Sequence, residues 1–172
     1  TVITTQDTKN SAPASYTTRN PSAATFTSAA TSNELVQGLT PTNIKFTFTV
    51  LELNPTGTGA AEVADTITIS TTSADAVFVD NKVPACTSFT AGTVTALTSD
   101  AGKVLTLTVT AQLAVGAHTF SCTDGGVGAL AANPSTLAIT FTMITTQDTE
   151  TSGTVTYTTR AATPVVWGSA SS

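Results

Sequence analysis

Apolar and polar residues alternate with a period of two along most of the chain, the spacing that sets every second side chain on one face of a strand. Ile44, Phe46, Phe48 and Val50 share one parity, with Lys45, Thr47 and Thr49 between them. Thr66-Ile67-Thr68-Ile69-Ser70 repeats the pattern, and Leu105, Leu107 and Val109 alternate with Thr106, Thr108 and Thr110. His118, Phe120 and Cys122 fall on one face, as do Leu137, Ile139, Phe141 and Met143. Residues 76–79 form a short apolar run, and 89–97 predict a strand broken at Ala91-Gly92. A final pair, through Gln147 and from Thr154 to Thr159, predicts a hairpin around 148–153.

Turn formers fall between these runs: Asn54-Pro55, Asp100-Ala101-Gly102, Val115-Gly116, Asp124-Gly125-Gly126 and Asn133-Pro134. No window carries a helical stripe, and 32–37 is the only stretch that could make a short helix or turn. Short strands spaced about 8–12 residues apart predict an antiparallel β-sandwich.

The two ends of the chain repeat each other. Thr1-Val2-Ile3-Thr4-Thr5-Gln6-Asp7-Thr8 recurs as Thr142-Met143-Ile144-Thr145-Thr146-Gln147-Asp148-Thr149, an offset of 141. The same offset brings Tyr16-Thr17-Thr18-Arg19 onto Tyr157-Thr158-Thr159-Arg160, Phe26 onto Trp167, and Ser28-Ala29 onto Ser169-Ala170. Without a gap, 14 of 31 aligned residues are identical, more than a threonine-rich composition gives by chance in one register. The reading favoured is a window of a longer polyprotein with a period near 141 residues. The alternative is one domain with a duplicated hairpin at its ends. The chain divides accordingly into three segments: 1–31, the end of a preceding repeat or a linking arm; 32–141, the sandwich; and 142–172, a second copy of the end segment and the start of a next unit. The first copy begins mid-pattern, whereas the second is preceded by Leu137-Ala138-Ile139-Thr140-Phe141, so the missing strand start is expected from outside this window.

Composition sharpens the class. With 172 residues, a mean hydropathy of +0.20 and 40% hydrophobic residues, the chain can bury a core. Only 10% of residues are charged, where about 25% is usual. Threonine takes their place, with 41 copies, and its β-branched side chain suits a pleated surface. A surface so poor in charge is typical of secreted and cell-surface chains. The net charge of −5, with Lys9, Arg19, Lys45, Lys82, Lys103 and Arg160 scattered, excludes nucleic acid as a partner. No apolar run reaches the roughly 18 residues of a membrane-spanning helix. The absence of a signal peptide and of an initiator methionine predicts a mature or trimmed product. Cys86 and Cys122 are an even pair 36 positions apart; in an exported chain they predict a disulfide, with two buried thiols as the alternative.

The stretch Leu113-Ala114-Val115-Gly116-Ala117-His118-Thr119-Phe120-Ser121-Cys122 resembles the penultimate strand of Ig-like repeats in large surface proteins. An apolar residue, a glycine turn and an alternating aromatic strand recur there. The resemblance covers about 100 central residues and implies an Ig-like antiparallel β-sandwich, here with a terminal hairpin repeated at both ends.

Catalytic chemistry finds little to stand on. His118 is the only imidazole, its parity turns it to the side of Phe120 and Cys122, and no Gly-x-Ser-x-Gly elbow exists. A Cys-His nucleophile fails if Cys122 is bonded to Cys86. The 11 acids are dispersed, mostly beside turns (Asp75, Asp80, Asp100, Asp124, Asp148), where aspartate bonds its own backbone. No pair is marked for glycoside hydrolysis and no Asp-x-Asp-x-Asp-Gly calcium loop is present. The Thr-x-Thr rows lack the identical short repeats that an ice-binding solenoid needs, so they read as outward-facing sandwich threonines and as acceptors for O-linked sugar. Asn20, Asn54 and Asn133 open Asn-Pro-Ser/Thr triplets, in which proline blocks N-glycosylation. The sequence thus predicts no catalytic, cofactor or metal residue. It predicts a structural repeat module of an extracellular filament, flagellar hair, cell wall or surface layer, whose partners are copies of itself or neighbouring repeats. The second reading is an adhesin-type module that recognises glycan or protein through its end loops.

Overall fold

The computed structural model describes residues 25–31, 36–50, 65–72, 74–88, 93–114, 116–135, 138–146 and 149–163. Nine strands and no helix occur among them: β1 (Thr25–Thr31), β2 (Asn43–Val50), β3 (Thr66–Thr71), β4 (Ala85–Ser88), β5 (Thr93–Ser99), β6 (Val104–Ala111), β7 (Gly116–Thr123), β8 (Ala138–Thr145) and β9 (Val155–Thr158). They form two antiparallel sheets in the orders β1-β2-β7-β4 and β5-β6-β3-β8-β9. The all-β sandwich expected from the alternation is the fold observed.

The period-two rows become the inner faces. Ile44, Phe46 and Phe48 of β2 stand opposite Cys122, Phe120 and His118 of β7, and all six are buried. From the second sheet come Ile67 and Ile69, Leu105, Leu107 and Val109, and Ile139, Phe141 and Met143. Phe46 joins the layers: its ring meets Phe141 of β8 edge to face at 5.5 Å, with Phe26 at 6.2 Å and Phe78 at 6.5 Å. Aromatic pairs in this geometry add about 0.5–1.5 kcal/mol beyond the area they bury. The outer faces carry the threonines, which bond across strands: Thr47 with Thr119 at 3.0 Å, Thr72 with Thr140 at 2.7 Å and Thr93 with Thr110 at 2.8 Å.

One expectation changes, and another resolves to its turn alternative. The run 76–79 makes only a bridge, Phe78 to Leu130, because the neighbours Val77 and Phe78 are both buried. A strand cannot turn adjacent side chains to one face, and here both amides donate to the Gly102 carbonyl, at 3.2 and 3.0 Å. At 36–37 there is no helix: Val36 forms a parallel bridge with Arg160 and a turn comes next. Residues 32–35 lie outside the described residues, as do 89–92 and the Asn54-Pro55 turn.

The segment boundaries also move. The predicted hairpin is present as β8 and β9, paired from Ala138–Thr158 to Phe141–Val155. β8 runs through the 141/142 boundary without a break, and Met143 and Tyr157 are buried in the common core. Ser152 closes the hairpin, its amide donating to the Met143 carbonyl and its hydroxyl accepting from the Met143 amide, both at 2.8 Å. Likewise β1, within the segment 1–31, is hydrogen-bonded to β2. The sandwich therefore extends beyond 32–141 on both sides. The first copy, 1–19, and Trp167 lie outside the described residues.

The turn from β5 to β6 places Asp100, Ala101 and Gly102 at φ of 52°, 53° and 81°. A side chain on Gly102 would collide with the Phe78 carbonyl, whereas Gly128, at φ +67°, has open space. Gly102→Ala is expected to cost more than the about 1–2 kcal/mol of left-handed strain alone, and Gly128→Ala to cost no more than that strain. Urea denaturation of the two variants measures the difference, and equal losses would remove the collision from the account.

Candidate functional site

The one covalent feature is the bridge between Cys86 and Cys122, with S–S 2.03 Å and Cα–Cα 4.0 Å. The two residues are direct register partners on β4 and β7, and their Cα separation is that of a close antiparallel pair. The predicted disulfide is thus present, and it lies within one sheet rather than between the two. β4 has four residues and stands at the sheet edge, so few ladder bonds hold it. The bridge fixes that short strand and closes a loop 36 residues long in sequence, a constraint on the unfolded chain worth about 3–4 kcal/mol. Among the described residues there is no free cysteine.

His118 sits on the inner face of β7, 2% exposed, beside the stacked rings of Phe48 and Phe120, 6.3 Å from each. Its Nε2 lies 2.7 Å from the carbonyl oxygen of Ala114, to which it donates. A histidine enclosed in this way orders the β6–β7 connection and offers no face to a substrate. Two acids also have hydrogen-bond partners. Asp80 accepts from Asn81 Nδ2 at 2.8 Å, and Asp65 accepts from Thr146 at 2.8 Å. No group of three or more metal-ligating side chains occurs among the described residues.

Asp124 organises the glycine-rich loop after β7. Its carboxylate accepts from the amides of Leu130 at 3.3 Å and Gly128 at 3.0 Å, while its carbonyl accepts from Val127 at 3.2 Å. Gly125, Gly126 and Gly128 all take positive φ here. The amides of Leu130 and Gly128 hold the carboxyl below its ordinary value, against a smaller opposing effect of desolvation. The sequence marked Asp124 as a turn residue, but its partners four and six positions on were not legible there.

Two further polar hubs escaped the sequence reading. Thr98, fully buried, donates to the Val79 carbonyl at 2.6 Å and accepts from the Lys82 amide at 2.8 Å, fixing 79–82 against β5. Asn133, also buried, donates through Nδ2 to the Val36 carbonyl at 3.0 Å and exchanges backbone bonds with Gly38 and Leu39. Both look in sequence like ordinary strand or turn residues; only long-range register assigns them their partners. Tyr157 stacks on Phe141 at 5.7 Å, and burial pushes its hydroxyl pKa well up.

The chain matches no protein-family model and no curated protein sequence.

Two measurements test these roles. Replacing both cysteines by alanine is expected to keep the β-sheet spectrum and lower the unfolding free energy by about 3 kcal/mol; an unchanged urea midpoint would show that β4 is held by other means. For Asp124, a depressed folded-state pKa means its stabilisation is complete above the ordinary carboxylate range and lost as pH falls through the folded value. The Tm deficit of Asp124→Ala is therefore expected to be full at pH 6 and to shrink below about pH 4. A deficit independent of pH would contradict this.

Proposed function

We propose that this chain is a structural repeat module of an extracellular array, Ig-like in build: a filament, flagellar hair, cell wall or surface layer. The observation that carries the reading joins the sequence repeat to the fold. In the second copy the buried positions are Met143, Ser152, Tyr157 and Thr159. At the offset of 141 the first copy has Val2, Ser11, Tyr16 and Thr18 at those places. Three of the four are identical and the fourth keeps an apolar side chain. Between them the copies diverge, as at Lys9/Glu150, Asn10/Thr151 and Pro13/Thr154, and the three residues on the second-copy side are exposed. Three of the four buried positions are identical, against four of the nine described exposed positions of 142–160, a bias toward the inward face that two equivalent hairpins in two sandwiches would keep.

The disulfide and the charge-poor threonine faces support an oxidising, extracellular setting. The functional chemistry in this reading is strand pairing and burial, with the array itself as the product.

An antibody raised against the 172-residue chain tests it on the source cells. The expected outcome is a polypeptide several times the 17.3 kDa of this chain, recovered from the extracellular fraction, with peptides repeating at a spacing of 141 residues. A single-unit product confined to the cell interior would overturn the reading.

A further inference from the structure

The direction of the first and last strands sets how successive units must be connected. β1 begins opposite the end of β2, with Thr25 beside Thr49, and runs toward the start of β2, with Thr31 beside Ile44. The chain then reaches Val36, which pairs with Arg160, the residue by which the chain leaves β9. β9 itself runs toward the start of β8, from Val155 beside Phe141 to Thr158 beside Ala138. β1 and β9 lie next to each other, and the bridge between Val36 and Arg160 beyond their ends is parallel, so both strands run toward that end. The chain thus comes in at one end of the sandwich, the leading end, and goes out at the other, the trailing end.

The offset of 141 also assigns the residues beyond Arg160. By it, Thr25–Thr31 of β1 corresponds to 166–172, with Trp167 in the place of the buried Phe26. Only 161–165 then separate the last fixed residue of one unit from the first strand of the next, as 20–24 do at the other end. Each of these five-residue links holds one proline, Pro164 and Pro21, which restricts its conformations. The unit boundary therefore falls after Arg160 rather than at 142.

The trailing end carries apolar surface. The described residues include five exposed large hydrophobic side chains, and four of them, Leu39, Val79, Val83 and Val127, are on its loops. Those loops are tied to one another there: Leu39 to Asn133, Val79 to Ala129, and the Arg160 carbonyl to the Gln37 amide. At the leading end the described loops present Thr93, Thr110, Gln112, Thr146, Thr149, Glu150 and small residues.

We infer that successive units are joined head to tail, the trailing end of each seated against the leading end of the next copy through the link 161–165. This rests on the repeat reading and adds its geometry: an extended rod, one sandwich long per repeat, with little freedom at each joint. The partner is the next copy of this unit in the same chain.

The test extends the 172-residue chain by a second run of residues 32–172, which continues the register, and compares the two by small-angle X-ray scattering. A domain of this size is about 35–40 Å across. Head-to-tail joining is expected to lengthen the maximum dimension by about that amount. An increase below about 15 Å, from two units folded side by side, would overturn the inference. If the direct fusion misfolds, a version with 161–165 duplicated decides the matter, since ten residues reach about 33 Å and permit a side-by-side return. Retained extension in that version supports the seated joint, and a short or broadly distributed dimension refutes it. Either refutation leaves the repeat reading standing; that reading fails separately, if the natural polypeptide holds a single unit.

Discussion

The contact between Phe46 and Phe141 is the one on which the rest of the sandwich depends. Phe46 stands at the middle of β2, and Phe141 is a buried residue of β8 in the opposite sheet. Around the pair gather Phe26 from β1, Phe78 from the loop before β4, and Tyr157 from β9. With only 10% of residues charged, ion pairs have little part in specifying this fold. Specification falls to aromatic geometry, the inward register of each strand, and polar hubs such as Thr98 and Asn133 that fix the loops. Because Phe141 and Met143 belong to one strand, anchoring Phe141 also anchors the start of the duplicated segment, and Ser152 and Tyr157 are carried with it through the hairpin.

This dependence explains which parts were legible in the sequence. β2, β3, β6, β7 and β8 each bury one face, so period-two alternation marked them directly. The disulfide was legible from cysteine number and composition, but its placement within one sheet was not, because strand order is a long-range property. The run 76–79 misled for a local reason: adjacent apolar residues look like a strand until tertiary contacts show that both are buried at a bend. The sequence identity between the two ends starts at 142, in the middle of β8. Identity begins where the copies agree, and a structural unit begins where strands pair; the two need not coincide.

The side chains that the sequence offered as candidates for chemistry can be followed into the fold. The sequence offered one histidine and scattered acids. The structure buries that histidine beside two stacked phenylalanine rings and engages Asp65, Asp80 and Asp124 in hydrogen bonds. Asp124 holds its glycine loop, Cys86 and Cys122 the edge strand, and the pairs Thr47–Thr119, Thr72–Thr140 and Thr93–Thr110 bond across strands.

The proposed repeat implies unlike surroundings for two similar segments of the isolated chain: 142–160 is completed by its own sandwich, and 1–19 would be completed by a preceding unit. Native-state hydrogen exchange on the 172-residue chain tests this, because five of the eight residue pairs compared are identical. The account predicts slow exchange at 142–145 and 155–158, comparable with β2 and β7, and fast exchange at 1–4 and 14–17. Equal protection of the two copies in the monomeric chain would contradict it.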